Sequence, residues 1–562
     1  MKNSKVLSAE CRVLSQNRRS PFLSTQHSAL CTLLVLALLL ASCATTTQMR
    51  QLDLKITNGR ILDGTGAPWY RGDVGVRGDT IVAIGDLHDI NAASTIDAHD
   101  RIVSPGFIDL LGQSQQSVFT DPHLEPKVRQ GVTTEVTGEG KSPGPSKDGK
   151  FRSLAEYFAA VEKNRSALNF ALLVGADNPR EMVIGDINRK PTADEMREME
   201  RIVDQAMREG AIGISTSLIY VPGMFSTTDE LVNLARVAAA RGGVYFTHMR
   251  DEGDQIDMGL DEAFRIGREA KIPVNIWHLK TAGRANWGKM PHVIDRILAA
   301  RAEGIDVAAN VYPYPASGTS LSTLAPSWAM EGGYTELQKR LTDPAMRAKI
   351  AEDLKRAYDK RGEKAIWVGA IGPGFEQYQK KFIEEIAAEM NVAPEEALIR
   401  LFSGPPYSPS VIFFSMSEDD VQYALKQPFV SIGADSGAPP PAARLANSSQ
   451  HPRAYGTFAR VAGHYVRDEH LFTLEEAVRK MTSQAAARVN FADRGILRPG
   501  MKADIAIFDP DKLRDVATFA DPHQFAEGVS DVIVNGVPVL RDAKMTGALP
   551  GRVLRGKGYE AH

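Results

Sequence analysis

Eight short apolar segments in the middle of the chain limit the fold more than any other sequence feature. They cover residues 107–111, 133–137, 169–175, 211–216, 244–248, 274–278, 306–312 and 429–435. Each has the length of a buried strand, and stretches with the apolar spacing of a helix separate several of them. Because alternating strands and helices form parallel sheets, and eight such units close on themselves, the pattern predicts a (β/α)8 barrel of the α/β class.

The two ends of the chain share a different texture. Residues 52–104 and 492–562 contain short alternating runs with Gly-Asp and Asn-Gly turns, which is typical of antiparallel hairpins. We therefore expect both ends to build one small β-sandwich around a barrel of residues 105–491. The stretch 317–427, between the seventh and eighth strands, is too long for a simple loop and predicts a helical insertion.

The first 42 residues have the features of an export signal. Five basic residues precede an apolar run over 30–40, which ends in the sequence Leu-Ala-Ser-Cys. That run is shorter than the roughly 20 apolar residues needed to span a bilayer. Leu-Ala-Ser-Cys resembles a bacterial lipobox, so we expect a signal peptide over 1–42, lipidation of Cys43 and a polar tether over 43–51. Ala44 is similar to the pattern of outer-membrane lipoproteins facing the periplasm, and a soluble secreted protein is the alternative.

Composition excludes several other classes. The formal net charge is −3, so the sequence gives no reason to expect a nucleic-acid partner, and it does not indicate an oligomeric state. The three cysteines, Cys11, Cys31 and Cys43, all lie in or at the end of the leader. The folded part therefore has no disulfide, no thiolate ligand and no cysteine nucleophile.

Two histidines mark the expected active site. His248 and His278 end the fifth and sixth predicted strands, Asp435 ends the eighth, and Glu139 follows the second. Active sites of (β/α)8 barrels form at the carboxyl ends of the strands, so these side chains would surround one opening. Two imidazoles, a carboxylate and a water would complete a tetrahedral zinc site with an open position. Two hydrogen-bonded core histidines are the simpler alternative.

Such a site has a definite chemistry. Zinc lowers the pKa of a bound water from 15.7 to about 7, so that hydroxide forms at neutral pH. Asp435, which we predict as a further ligand and as the catalytic base, could take a water proton and return it to a leaving amine.

Several motifs then resemble known enzymes. Residues 105–109 (Pro-Gly-Phe-Ile-Asp) and 499–504 (Pro-Gly-Met-Lys-Ala-Asp) are similar to motifs of the amidohydrolase superfamily. Further segments resemble the N-acyl-D-amino-acid deacylases, or D-aminoacylases: residues 131–134, 210–223, 245–250, 278–280, 286–288, 311–314 and 451–458. The resemblance, over about residues 52–560, implies a metal-dependent hydrolase that releases a D-amino acid from its N-acyl form. It also implies that His248 and His278 are metal ligands and that Asp435 is the catalytic carboxylate.

The same resemblance implies a clamp for the substrate's α-carboxylate. Lys280, Tyr314 and Arg453 match the residues that hold this group, although the spacing allows Tyr312 in place of Tyr314. An arginine fork meets a carboxylate with two hydrogen bonds, and a lysine adds a point charge. Lys280 lies two residues beyond His278, so a substrate held there would reach the metal.

The chain departs from the family at two points. The superfamily's His-x-His motif is replaced by Leu111 and Gln113. Since leucine cannot bind a metal, we expect a single zinc ion. Where D-aminoacylases carry a metal-binding cysteine, this chain has Glu139, which becomes the expected replacement ligand, with a capping or loop-turning role as the alternative.

The function predicted from the sequence is hydrolysis of N-acyl-D-amino acids, or of peptides with a D-residue, by a metal-activated water. Two alternatives remain: an amidohydrolase for a cyclic amide or peptide, and a lipoprotein that binds ligands without catalysis.

Overall fold

The computed structural model describes residues 51–440 and 451–561. Its contacts divide the chain into two units. The described part of the first unit consists of residues 51–52 and 88–93. Two strands start in it, one at Gln51 and one at Asn91. The other contains residues 53–87 and 94–562, and it carries the candidate site. The predicted signal peptide and Cys43 lie outside the described residues.

The described chain contains the following elements. The strands are β1 (Gln51–Ile61), β2 (Tyr70–Arg77), β3 (Thr80–Gly85), β4 (Asn91–Asp97), β5 (Ile102–Pro105), β6 (Phe107–Asp109), β7 (Val132–Thr137), β8 (Asn169–Leu172), β9 (Val174–Gly175), β10 (Gly213–Ser217), β11 (Val244–His248), β12 (Val274–Ile276), β13 (Val307–Val311), β14 (Ser317–Ser320), β15 (Ile366–Val368), β16 (Ser410–Phe413), β17 (Val430–Ile432), β18 (Ile505–Phe508), β19 (Val529–Val534), β20 (Val537–Arg541) and β21 (Lys544–Met545). The α-helices are Glu125–Val128, Leu154–Asn164, Asp177–Val183, Ala193–Arg208, Thr228–Ala240, Ile256–Ala270, Met290–Ala302, Ser327–Met330, Tyr334–Arg340, Pro344–Arg361, Ile383–Met390, Pro394–Ser403, Glu418–Lys426, Arg453–Arg460, Leu474–Met481 and Ser483–Arg488, with a π-helical turn at Val461–Asp468.

Parallel strands form the predicted (β/α)8 barrel. β6, β7 and β8 pair in one sheet, and β9 to β13 continue in chain order to β17 in a second sheet. β8 and β9 are interrupted only at Leu173, whose N–H donates to Thr137 O at 2.9 Å. A parallel bridge between Gly112 and Ser436 joins the first strand to the last. The fold class expected from the eight apolar runs is confirmed.

Both ends of the chain contribute to a single sheet. Its strand order is β21-β20-β19-β18-β5-β1-β2-β3, so β18, near the carboxyl end, pairs directly with β5. Ile505 lies opposite Pro105, and Phe508 lies opposite Ile102, in antiparallel register. Antiparallel strands with one buried face produce the alternating texture of the two ends. The domain boundaries at 104/105 and 491/492 stay predictions.

The insertion between β13 and β17 contains a sheet as well as the predicted helices. β14, β16 and β15 form an antiparallel sheet in that order, and Ser317 on β14 pairs with Phe413 on β16. Leu321, Ile350 and Phe402 belong to a separate apolar cluster within the insertion. The insertion therefore has its own small core, which allows it to hold side chains in fixed positions beside the barrel.

The last described residues run beneath the barrel. The N–H groups of Gly551, Leu554 and Gly556 donate to the carbonyls of Ser166, Phe170 and Gly210, at 2.8, 2.7 and 3.0 Å. Ion pairs then join Glu560 to Arg208 and Arg241. This segment ties together the loops that enter β8 and β10.

None of the helices in the described stretches has both the length and the hydrophobicity of a membrane-spanning helix.

A buried ion cluster links the first two barrel strands. Lys127 Nζ lies 2.7 Å from Asp109 Oδ2 and 3.3 Å from Glu135 Oε1, and all three side chains are fully buried. Lys127 also donates to the Ser436 carbonyl at 2.7 Å. Burial raises the pKa of Glu135 to about 7, the negative charge of Asp109 adds to this rise, and Lys127 opposes it.

Candidate metal centre and active site

Three donor atoms converge at the carboxyl ends of the barrel strands. His248 Nδ1 lies 2.8 Å from His278 Nε2 and 3.0 Å from Glu139 Oε1. His278 Nε2 lies 3.3 Å from the same Glu139 oxygen. His248 is the last residue of β11, His278 follows β12, and Glu139 follows β7. The barrel thus brings together two imidazoles and a carboxylate from three different strands.

The spacing of these atoms fits a tetrahedral metal ion. With zinc bonds of about 2.0–2.1 Å, neighbouring ligand atoms of a tetrahedron stand about 3.3–3.4 Å apart. The three measured separations lie at or slightly below this value. Without a cation, two ring nitrogens and a carboxylate oxygen would share too few protons to satisfy all three contacts. The donor set therefore fits a divalent ion bound at one face, with the remaining face open.

Glu252 orients the second imidazole. Its Oε1 lies 3.0 Å from His278 Nδ1, and Lys280 Nζ donates to the same oxygen at 2.6 Å. Lys280 Nζ also lies 2.7 Å from His278 Nδ1. In the tautomer with the proton on Nδ1, directed at Glu252, the lone pair of Nε2 is free for a metal. The His278 backbone is left-handed, with φ of 37°, and its N–H donates to Asn310 Oδ1 at 2.7 Å. Such strain is maintained only where surrounding contacts hold the residue in place.

Asp435 faces this cluster from the last barrel strand. Its Oδ2 lies 2.7 Å from Arg453 Nη1, and its Oδ1 accepts a hydrogen bond from Gln113 Nε2 at 3.0 Å. Gln113 Nε2 also donates to Glu139 Oε2 at 2.8 Å. Asp435 is outside the group of converging donor atoms, which contains only Glu139, His248 and His278 among the described residues. The geometry favours the predicted base role of Asp435 over its predicted ligand role.

Of the two tyrosines that the spacing allows for the clamp, Tyr312 lines the cavity and Tyr314 turns toward another partner. The Tyr312 ring lies 4.6 Å from the Arg453 guanidinium and 6.0 Å from Lys280 Nζ, and it lines the cavity. The Tyr314 hydroxyl points to Asp515 instead, at 3.4 Å. β13 ends at Val311, so the alternation that would have given both tyrosines the same direction stops before them.

His451 fixes the backbone at Arg453. Its Nε2 lies 2.9 Å from the Ala316 carbonyl, and its Nδ1 accepts a hydrogen bond from the backbone N–H of Arg453 at 3.1 Å. Burial holds the pKa of His451 well below its usual range, and the Arg453 charge adds to this effect. A neutral His451 therefore stands beside Arg453 without repelling it.

The electrostatics of the cluster follow from burial and close charges. Burial raises the pKa of Asp435, while Arg453 and His278 oppose the rise. For Glu139, hydrogen bonds from His248 and His278 outweigh burial and hold the pKa well below its usual range. Burial and Lys280 lower the pKa of His278, but the surrounding carboxylates, Glu252 first, outweigh them and raise it to about 9. The site is a region of excess negative charge around two imidazoles, which is the environment a cation prefers.

A cavity of about 540 Å³ opens over these groups. Its wall includes the cluster, the clamp residues Lys280 and Arg453, and residues of the insertion such as Thr319 and Phe413. This volume lies within the range of about 300–1,000 Å³ that is typical of small-molecule sites.

Most of the predicted site residues meet here. The structure brings together Glu139, His248, His278, Lys280, Asp435 and Arg453 around one cavity. Two contributions to the site are not evident from the sequence: the carboxylate of Glu252 and the bridging amide of Gln113. Glu252 lies four residues after His248 in a loop, where no periodicity indicates direction. Gln113 was noticed only as a missing histidine, although an amide next to two carboxylates is a natural donor.

Fold and site thus define a metal-binding barrel of the amidohydrolase type, and a model of the amidohydrolase family matches residues 443–540. The chain is 37% identical over 519 residues to a D-aminoacylase of Alcaligenes xylosoxydans xylosoxydans, covering 89% of this chain and 97% of that protein. The chain belongs to the D-aminoacylase family of amidohydrolases.

Solved structures agree with this assignment. A D-aminoacylase structure, from work on a binuclear metal centre with one-metal activation and second-metal attenuation, is 36% identical. It has a TM-score of 0.77 and covers 90% of this chain and 100% of its own. An N-acyl-D-glutamate deacylase from Bordetella bronchiseptica, complexed with zinc and a phosphonate mimic of the tetrahedral intermediate, is 35% identical. Its TM-score is 0.78, with coverage of 90% and 100%.

Proposed function

We propose that this chain is a single-zinc hydrolase that cleaves the amide bond of N-acyl-D-amino acids. The observation that carries the proposal is the triangle of donor atoms from Glu139, His248 and His278, with separations of 2.8–3.3 Å, beside a carboxylate and a carboxylate-binding clamp. D-aminoacylases and an N-acyl-D-glutamate deacylase share the whole length of the fold.

The chain's residues favour one metal ion over two. Glu139, His248 and His278 would hold the ion, and when bound it supplies Lewis acidity that acidifies a water and polarises the substrate carbonyl. Leu111 is fully buried and belongs to an apolar cluster, and Gln113 donates its amide to two carboxylates. Neither side chain offers an anionic or imidazole ligand for a second ion.

Arg453 is prepared to hold the α-carboxylate of the substrate. Its Nη2 donates to the Gly318 carbonyl at 3.0 Å, whereas its Nε and Nη1 are buried without an aligned hydrogen-bond acceptor among the described residues. Nη1 lies within ion-pair distance of Asp435 but lacks hydrogen-bond alignment with it. A substrate carboxylate would supply the missing acceptor, and Lys280 and the Tyr312 ring lie beside it.

Asp435 moves the proton. Its Oδ1 and Oδ2 are both at the cavity, between Gln113 and Arg453. The carboxylate accepts a proton from the attacking water and returns it to the nitrogen of the leaving amino acid. Glu252 keeps the His278 ring in place through both steps, and the buried wall excludes bulk water.

Metal analysis together with a stereochemical assay tests the proposal. We expect the purified protein to contain about one zinc per chain and to release amine from N-acetyl-D-amino acids, with at least a hundredfold weaker activity on the L-enantiomers. Methyl esters of the same substrates should react poorly, since they lack the charge that Arg453 binds. Full activity after metal removal, or two tightly bound ions per chain, would contradict the assignment.

We also propose that the chain is a lipoprotein exported to the outer membrane through Cys43. The lipobox-like sequence before Cys43 supports this, together with the absence of cysteine from residues 44–562. Cys43→Ala should abolish incorporation of labelled fatty acid and shift the protein from the membrane to the soluble fraction. Cys31→Ala, within the same leader, is the matched control and should change neither result.

A further inference from the structure

Among the described residues, one cation of the cavity wall has no anionic partner. Five lysine and arginine residues line the cavity, and four of them pair with a carboxylate: Arg250 with Glu262, Lys280 with Glu252, Lys360 with Asp254, and Arg453 with Asp435. The fifth, Arg361, has no carboxylate within ion-pair distance in the two described stretches, 51–440 and 451–561. A partly buried charge without a counter-charge is costly, so an unpaired guanidinium in a ligand cavity indicates an anionic ligand.

The position of Arg361 is fixed by the insertion. It is the last residue of the helix Pro344–Arg361, and its guanidinium lies 5.0 Å from the centre of the Phe413 ring. Its Nη1 donates to the Ala357 carbonyl at 3.2 Å. Burial lowers the pKa of Arg361 below its ordinary value, which reflects the missing partner charge. Most of the hydrogen-bonding capacity of the guanidinium is still available, since it has five N–H donors.

Arg361 and Arg453 stand on one wall. Phe413, beneath Arg361, lies directly opposite Ser317 in the pairing of β14 with β16. The next residue, Gly318, accepts the hydrogen bond from Arg453 Nη2. Directly opposed strand residues are about 5 Å apart, so this small sheet places the two guanidinium groups along the same edge of the cavity.

We propose that Arg361 binds the side-chain carboxylate of the substrate, so that the preferred substrates are N-acyl derivatives of acidic D-amino acids, glutamate and aspartate. The inference rests on the proposed function, because it assigns the α-carboxylate to Arg453. A substrate with two carboxylates then meets two guanidinium groups, and the planar fork of each is suited to a carboxylate. Arg361 is a specificity-determining residue and takes no part in the bond cleavage.

The experiment compares charged and neutral side chains of equal size. We expect kcat/KM for N-acetyl-D-glutamate to exceed that for N-acetyl-D-glutamine by at least tenfold in the wild-type chain. N-acetyl-D-aspartate and N-acetyl-D-asparagine form a second pair that reports the preferred side-chain length. A hydrogen-bonded charge pair corresponds to about 10–100-fold in such a ratio.

Substitution identifies the residue responsible. Arg361→Gln should lower the glutamate-to-glutamine ratio about thirtyfold, chiefly through KM. Lys360→Gln is the matched control: it removes an equal charge from the neighbouring residue, but that charge is already paired with Asp254, so the ratio should change less than threefold. An equal loss of the ratio in both variants would indicate a general electrostatic effect and overturn the assignment to Arg361.

The outcomes separate this inference from the proposed function. If neutral N-acetyl-D-amino acids react as well as acidic ones, or if Arg361→Gln keeps the wild-type ratio, the side-chain assignment is wrong and the deacylase function stands. If no N-acyl-D-amino acid reacts, the proposed function fails. Calorimetric binding of D-glutamate and D-glutamine to wild-type and Arg361→Gln protein then tests the carboxylate site independently, and equal affinities would refute it.

Discussion

At the scale of single residues, Gln113 distinguishes this site from the family motif, because its side chain contacts two carboxylates at once. Gln113 replaces a histidine of the family motif, and its amide donates to both Glu139 and Asp435. Two carboxylates that face each other repel, and a donor between them offsets that repulsion. The amide therefore holds the carboxylates of Glu139 and Asp435 side by side.

Replacing Asp435 tests the base. Asp435→Asn should lower kcat by about 10²–10⁴-fold, the usual contribution of general acid–base catalysis, while zinc content stays at the wild-type level. His248→Ala should lose the metal, because it removes one of the three converging nitrogen and oxygen donors. Elemental analysis next to an amine-release assay distinguishes the two variants. A fully active Asp435→Asn enzyme would remove the assigned base.

Replacing Gln113 tests the bridge. Gln113→Met keeps the length of the side chain but removes both hydrogen bonds, so we expect kcat to fall about tenfold with zinc retained, in line with about 1–1.5 kcal/mol for a hydrogen bond. Gln116→Met, three residues on and exposed, should behave like the wild type. Loss of zinc from Gln113→Met would instead place Gln113 in metal binding.

At the scale of elements, the residues at strand ends could be predicted and those in loops could not. His248 ends β11, and the alternation and length of its apolar run were sufficient to place it. Glu252 lies in the following loop, where the chain has no regular direction, and only the fold brings it to His278. The sequence could not decide between Tyr314 and Tyr312 for the same reason, because β13 ends before both, and in the structure it is Tyr312 that lines the cavity. The sheet within the insertion was missed because its strands have only three or four residues each.

The buried cluster between β6 and β7 gives a pH dependence. The pKa of Glu135 is raised to about 7 by burial, so the folded chain takes up a proton that the unfolded chain releases near pH 4.5. The protonated Glu135 side chain therefore contributes its full stabilisation of the folded state below pH 4.5, and this contribution is lost as pH rises through 7. The free energy of unfolding should therefore fall by up to about 3 kcal/mol across this window.

Comparison with Glu135→Gln isolates the effect. Denaturant unfolding of metal-free protein between pH 4.5 and 8 should show this slope in the wild type and lose it in the variant. Metal-free protein is required because zinc binding has its own proton linkage. Parallel pH curves for the two proteins would contradict a raised pKa at Glu135.

At the scale of the whole molecule, the barrel and the shared sheet followed from patterns that extend over many residues. Eight apolar runs and two hairpin-rich ends are redundant signals, so the fold class did not depend on any single segment. The contacts of residues 551–561 did not follow from the sequence, because this segment contains no strand or helix period and binds through backbone hydrogen bonds and partly exposed ion pairs.

Removing that segment tests its contribution. Deletion of residues 551–561 removes five backbone hydrogen bonds and four ion pairs, and we expect the Tm to fall by about 5 °C. Glu560→Gln removes only the two partly exposed ion pairs of Glu560 and should shift the Tm by less than about 1 °C. Thermal unfolding of the three proteins at one pH and zinc concentration gives the comparison. An unchanged Tm after deletion would show that the segment lies on the barrel without stabilising it.

The pairing of β5 with β18 sets the order in which the molecule can be completed. About four hundred residues separate the two strands, so the amino-terminal sheet has an open edge until nearly all of the chain has left the ribosome. Contacts so distant along the sequence form late and slow the final step of folding.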